Sequence, residues 1–294
     1  MKKIDVGGQA LIEGIMIKSP KYVSVGIRNS DGIKVKVEKF TSLTKRFFFN
    51  WLFIRGIVIL IEMLHLGMKE LIFSANEQVE EEEKESLGFW HILITIGVSL
   101  VFAILLFKAV PLAITWLIDK YITPINGTFL FNLIDGVIRI SIFILYIYVI
   151  SFLEDVKIMF RYHGAEHATI SCYEHGEKLN VKNVKKHSTH HARCGTSFLV
   201  LTLIISILVF SLVSTQLPYW KLFLYRLPLI LPIAGASYEI LKLGDKFRRK
   251  WFFRQIIKPG LWVQNITTKK PNGKQIEVAI ATLEALLEKH KNAR

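Results

Sequence analysis

Residues 89–118 read FWHILITIGVSLVFAILLFKAVPLAITWLI. A helix needs roughly 20 apolar residues to cross about 30 Å of hydrocarbon. This stretch exceeds that, with Lys108 and Pro111 as its only interruptions. Three further stretches have the same character: 133–153, with Arg139 inside it; 198–215; and 222–243, which carries Pro228, Pro232 and Glu239. The expected fold is therefore an α-helical multi-pass membrane protein with four transmembrane helices. The rest of the composition agrees. The chain has 294 residues, 51% of them apolar and 21% charged, and a mean hydropathy of +0.37. Such a chain has too much apolar area to stay disordered. Two cysteines, Cys172 and Cys194, are too few for a disulfide-stapled secreted domain. No signal peptide is expected, because MKKIDVGGQALIEG has basic residues but no apolar core of the usual length.

Lys and Arg are retained on the cytoplasmic side of short loops. Residues 1–88 hold 13 of them, 119–132 one, 154–197 seven, 214–221 one and 244–294 twelve. This alternation places both termini and the 154–197 loop in the cytoplasm of a bacterial cell membrane. It also accounts for the net charge of +14 without nucleic acid, for which no binding module is visible. The partners expected are the lipid bilayer and other membrane proteins. A fifth apolar stretch, 47–68, contains Arg55, Glu62 and His65. Counting it as a span would split the basic termini across the membrane, so an interfacial or partly buried helix is expected.

The segments divide the chain into a cytoplasmic β-hairpin region with the interfacial helix (1–88), two spans (89–153), a His/Cys-rich loop (154–197), two more spans (198–243) and a cytoplasmic tail (244–294). YVSVGI and IKVKVEKF flank the turn sequence RNSDG and predict a hairpin. The acidic run 77–85 reads as a solvated linker. FRRKWFFR, at 247–254, has the basic–aromatic character of a membrane edge. PGLWVQNITT reads as extended. QIEVAIATLEALLEKH, with Ile276, Ile280, Leu283 and Leu287, reads as an amphipathic helix whose apolar face needs the hairpin or the central loop. The soluble parts together predict a small mixed α/β cytoplasmic module. Among the polar residues in the spans, Lys108, Asp135 and Arg226 read as snorkelling or interhelical pairs, and Arg139 and Glu239 as a paired, buried site.

Six of the nine histidines fall between residues 163 and 191. His163 and His167 are four apart, so a helix puts them on one face where a single metal can bridge them. Glu166 lies between them, giving H-x-x-E-H, in which a glutamate is general base beside a metal. Glu174 falls on the same face if the helix continues. His187 and His191 are also four apart, as are His190 and Cys194. Arg193 has the fork geometry to hold an anionic group. The candidate set is therefore a divalent metal, zinc by donor type, held by His163 and His167 and completed by Glu174, His191 or Cys194. Glu166 and Arg193 are the catalytic residues.

The blocks GGQALIEGIM, RGIVILIE, YHGAEHATISCYE, HHARCGTSF, PGLWVQNITT and QIEVAI, in this order and spacing, resemble the YqhQ family of bacterial membrane proteins over nearly the whole chain. The resemblance implies a metal-dependent enzyme. By position it picks out Glu13, His163, Glu166, His167, Glu174, His191, Arg193 and Cys194. It also covers Arg55 and Glu62, and implies an ion pair between their amphipathic segment and the cytoplasmic module. This sequence departs from the pattern at Ala192, where proline is typical, and His187 and His190 match no histidine in it. The function expected is metal-dependent and hydrolytic. The alternative is a non-enzymatic scaffold or accessory subunit of an envelope or protein-export assembly, with the His/Cys cluster as a structural clasp.

Overall fold

The computed structural model describes residues 3–78, 89–247 and 250–292. Residues 79–85 of the acidic run, and Arg248 and Arg249 of the basic–aromatic segment, lie outside them. The chain opens with four short strands, β1 (Gly7–Leu11), β2 (Gly14–Lys18), β3 (Tyr22–Asn29) and β4 (Gly32–Lys39). They form an antiparallel meander in sequence order. The expected hairpin is β3–β4, closed at Asn29 and Gly32. Ahead of it, GGQALIEGIM folds into a second hairpin whose turn holds Glu13 at φ +48°. For a residue with a Cβ this is a sparsely populated conformation.

Side chains alternate across a strand, so the sheet has two apolar faces. Ile15 and Ile17 pack with the faces of α5 (Glu154–His175) and α11 (Gly273–Asn292). Met16, Val23, Val25 and Ile27 pack on the other side with Leu66 of α1 (Ile54–Asn76). The result is a three-layer α/β/α module. The C-terminal helix finds the partners its period predicts: Ile276 and Leu283 are fully buried, and Ile280 and Leu287 partly. Burying a side chain of this size contributes roughly 1.5–3 kcal/mol, so the helix is held by its stripe. The segment 47–68 is α-helical only from Ile54, after a short 3₁₀ turn at Phe47–Asn50. Ahead of it Phe47, Phe48, Trp51 and Leu52 are exposed.

The apolar helices follow the sequence in place but not in every length. The first is one continuous helical segment, Leu93–Ile122. Its parts are α2 (Phe89–Ile104), a π-turn containing Lys108, α3 (Val110–Leu117) and a second π-turn. The second, α4, runs Thr128–Ile150. Both are long and apolar enough to cross a membrane. The stretch 198–215 gives only α7, Gly195–Phe210, which is shorter than a span requires. It ends where the ladder tightens into turns, the N–H groups of Leu212 and Val213 donating to the carbonyls of Val209 and Phe210 three residues back. The stretch 222–243 divides into α8 (Tyr219–Arg226) and α9 (Ile230–Lys246), bent by 46°. Pro228 at the break has no N–H to continue a ladder. Taken as one bent span, this pair brings the number of candidate crossings among the described residues to three.

One expectation fails outright. PGLWVQNITT is not extended but the second half of α10, Trp251–Thr267, with Pro259 inside the helix. Ile257, Gly260, Val263, Gln264 and Thr267 are buried at helical spacing. That sealed stripe outweighs the hydrogen bond lost at the proline. Arg139 and Glu239 do not pair with each other. Arg139 pairs with Asp135, which also accepts from Arg226 at 3.2 Å. Glu239 accepts from Arg55 through both its oxygens. Glu62 accepts from the Ser42 hydroxyl at 2.8 Å.

Candidate metal centre

α5 carries the first donors. It runs unbroken through His163, Glu166, His167 and Glu174, as their spacing predicts. Gly164 is where α5 meets the segment after α10: a Cβ there would lie 2.0 Å from the Lys269 carbonyl oxygen. That close approach brings the end of α10 against the helix. The His163 Nδ1 then lies 2.9 Å from the Thr267 carbonyl oxygen, and the His167 Nδ1 lies 2.6 Å from that of Thr189.

Carbonyls only accept, so both Nδ1 atoms carry hydrogen, and in a neutral ring the Nε2 atom is then the one that offers a lone pair. His163 Nε2 is 3.2 Å from the Cys194 sulfur, and His167 bonds the same thiol. One donor atom from each of the three residues lies within 4.8 Å of the others. A thiol has one hydrogen, and Thr196 Oγ1, at 3.5 Å, competes for it. The trio therefore holds more lone pairs than protons, which is the arrangement a cation fills. Orientation of ring nitrogens by backbone carbonyls is also how metal-ligating histidines are held. Burial is the largest influence on His167 and pushes its pKa down, so the ring is neutral, the form a ligand needs.

Cys194 reaches the site because it caps α7, its sulfur accepting from the Thr196 N–H. The segment leading to it, residues 187–194, is not helical. The four-residue spacings of His187 with His191 and of His190 with Cys194 therefore do not make shared faces. His191 is held by Gln264, which accepts from its N–H at 2.8 Å and donates to its carbonyl at 2.9 Å. Its ring stands 5.7 Å from that of His167. His190 turns to Asn265. Glu174 lies on the expected face but bonds Arg193 and approaches His191 Nε2 at 3.5 Å. It is not among the three convergent donors. Arg193, expected to hold an anionic group, is paired with Glu174 and lies 3.7 Å from both Asp5 and Asp245.

Glu166 is buried, and that burial raises its pKa. The charges of His163 and His191 and the Gly8 N–H act in the opposite direction. Its Oε2 has no hydrogen-bond partner among the described residues. Beside it, the Tyr162 hydroxyl donates to Glu13 at 3.0 Å. The strained turn thus locks onto the helix one residue before His163. Burial, then the Glu13 charge, raises the Tyr162 pKa, so the tyrosine stays a donor.

Comparison with known proteins agrees on one point. Residues 51–289 match the family described as "Protein of unknown function (DUF1385)". The chain belongs to this family. It is 35% identical to the Bacillus subtilis (strain 168) protein described as "Uncharacterized protein YqhQ", over 96% of this chain and 92% of that one. This supports the resemblance read from the six blocks. No solved structure matches the chain.

Reading the sequence for side chains missed three contributors: the carbonyls of Thr189 and Thr267, and the Gln264 clamp. Gln264 and Thr267 lie in the PGLWVQNITT block, whereas Thr189 lies in none of the six blocks. Thr189 also lines a cavity of about 440 Å³, together with Lys185, His187, His190 and Lys270.

Proposed function

We propose that the chain is a four-span membrane protein whose cytoplasmic module binds one divalent metal, zinc by donor type, and performs hydrolysis. Both termini face the cytoplasm, and the bilayer is the cell membrane of a bacterium. Long bare apolar helices and the Lys/Arg alternation support the membrane part. In this reading α7, matched to the membrane by local thinning of the bilayer, and the bent α8–α9 pair are the third and fourth crossings. The observation that carries the metal is the convergence of His163 Nε2, His167 and Cys194 Sγ, with both Nδ1 atoms tied to carbonyls. Two imidazoles and a thiolate suit zinc.

Three protein donors leave a fourth position, as catalytic zinc sites do. The bound ion supplies Lewis acidity toward a carbonyl or phosphoryl group. Glu166, buried next to His163 and His167, takes and returns a proton at its free oxygen. Arg193, engaged by carboxylates, positions Glu174 and the segment before α7. The basic lining of the cavity beside Thr189 holds an anionic group of the substrate.

The scaffold reading has one observation in its favour. The same trio, through Thr189, Thr267 and Gln264, ties α5 to α7 and α10. Metal content and thermal melting separate the two readings. Full-length protein in detergent is compared with a His163→Ala/His167→Ala variant by mass spectrometry. Metal lost from a variant that stays folded supports an open site, and Glu166→Gln then keeps metal while abolishing hydrolysis. Metal and fold lost together support the clasp. A wild type that takes up no zinc, manganese or iron ends both.

A further inference from the structure

The six clustered histidines do not converge on one point. His163 and His167 face Cys194; His187 faces the other way, to Cys172. We propose that Cys172, Glu177 and His187 form a second divalent-cation site, of zinc type, at the C-terminal end of α5.

Three pieces of local structure build it. Cys172 sits on the last turns of α5 and is fully buried. The helix ends at Gly176, with φ +78°, a left-handed conformation suited to glycine. That reversal bonds the Glu177 N–H to the Cys172 carbonyl at 3.2 Å and sets the glutamate beside the cysteine. Then α6, Val181–Val184, capped by Asn180 and anchored by the fully buried Val184, leads to His187. The His187 N–H closes onto the Val184 carbonyl at 3.0 Å.

The donor atoms then meet. One from each of the three side chains lies within 4.8 Å of the other two. His187 Nδ1 is 3.2 Å from the Ser171 hydroxyl. Its Nε2 is buried, makes no hydrogen bond among the described residues, and lies 3.4 Å from Glu177 Oε1. For bonds of about 2.0–2.3 Å, tetrahedral ligand atoms lie roughly 3.3–3.6 Å apart. The Cys172 sulfur has only a weak contact with the Lys178 carbonyl, at 3.8 Å. A thiol, an imidazole nitrogen and a carboxylate oxygen directed at one point are a borderline-soft donor set. On binding, the thiol proton passes to solvent and the cation takes its place. Glu177 is the exposed edge of the site, its side chain 43% accessible. The cation reaches the site from that side, and water completes its coordination. A histidine–glutamate pair beside a packed thiol is the simpler alternative, and metal stoichiometry decides between them.

The test strips full-length protein with chelator, reloads it with cobalt(II), and reads bound equivalents together with thiolate-to-cobalt absorption. The expected wild type binds two equivalents. Cys172→Ser and His187→Ala each bind one, with about half the thiolate–cobalt absorption, since each site has one thiolate. Cys194→Ser loses the other equivalent. If Cys172→Ser does not fold, the exposed Glu177→Gln takes its place. A wild type with one equivalent, removed by Cys194→Ser and untouched by His187→Ala, overturns the second site and leaves the first. An equivalent that depends on Cys172 alone, with none at Cys194, upholds the second site and overturns the function proposed above.

Discussion

Two groups of buried polar side chains differ in where their bonding capacity goes. Between α4, α7 and α8, Arg139 bonds Asp135 and the Ser206 hydroxyl, and Arg226 bonds Asp135 and Asn132. These groups answer one another. At α5 the outer nitrogens of His163 and His167 are bonded to carbonyls, and the inner ones converge on one sulfur. The first arrangement pairs opposite charges and braces three helices; its atoms without a hydrogen-bond partner among the described residues are one acceptor, Asp135 Oδ1, and two donors, the Nε atoms of Arg139 and Arg226. The second leaves lone pairs directed at a common point. The sequence already placed the candidate site at the histidines; the structure adds the common point at which their inner nitrogens and the Cys194 sulfur meet.

The largest effect expected is at the brace. Asp135→Ala leaves two guanidinium groups buried without their carboxylate. Breaking such a pair costs about 3–5 kcal/mol, so a thermal melt in detergent drops sharply. Metal content of the protein that remains folded does not change. Loss of metal alongside a small change in melting would mean that the two clusters are one functional unit, and the comparison would fail.

The next effect is at the trio. His163→Ala removes a convergent donor and lowers metal affinity more than about 100-fold, whereas His191→Ala, outside the trio, lowers it about tenfold or less. Equal losses, read by competition with a chelating dye, would make His191 a ligand.

The contrast also separates what the sequence could disclose from what it could not. The His163–His167 pair was legible because α5 is a regular helix, and a four-residue spacing then has one meaning. The choice of Cys194 over Glu174 was not. Residues 187–194 are irregular, so spacing there carries no angle, and Arg193 draws Glu174 away. Cys172 was invisible as a donor for a similar reason. It is turned away from the His163–His167 face, and its partner Glu177 arrives only through the reversal at Gly176. The sheet and the C-terminal helix were readable from their periods of two and of three to four. α10 was not, because Pro259 is a local signal and the packing that overrides it is tertiary.

The smallest effect tests the comparison on a single charge. Lys18, at the end of β2, lies with its ammonium 4.2 Å from the centre of the Phe40 ring. Burial pulls its pKa down, and the charge of Glu62 offsets that only in part. A lysine whose folded pKa lies below its unfolded value destabilises the fold at every pH below the folded pKa. The penalty fades as pH rises from there toward the unfolded value of about 10.4. Lys18→Met keeps the stem and removes the charge, so it should raise the melting temperature at pH 7 by about 2 °C. That advantage should shrink steadily as the pH approaches 10. A gain that stays constant with pH would show that packing, and not the charge, is responsible. The rule drawn from the two clusters would then not extend to a half-buried cation.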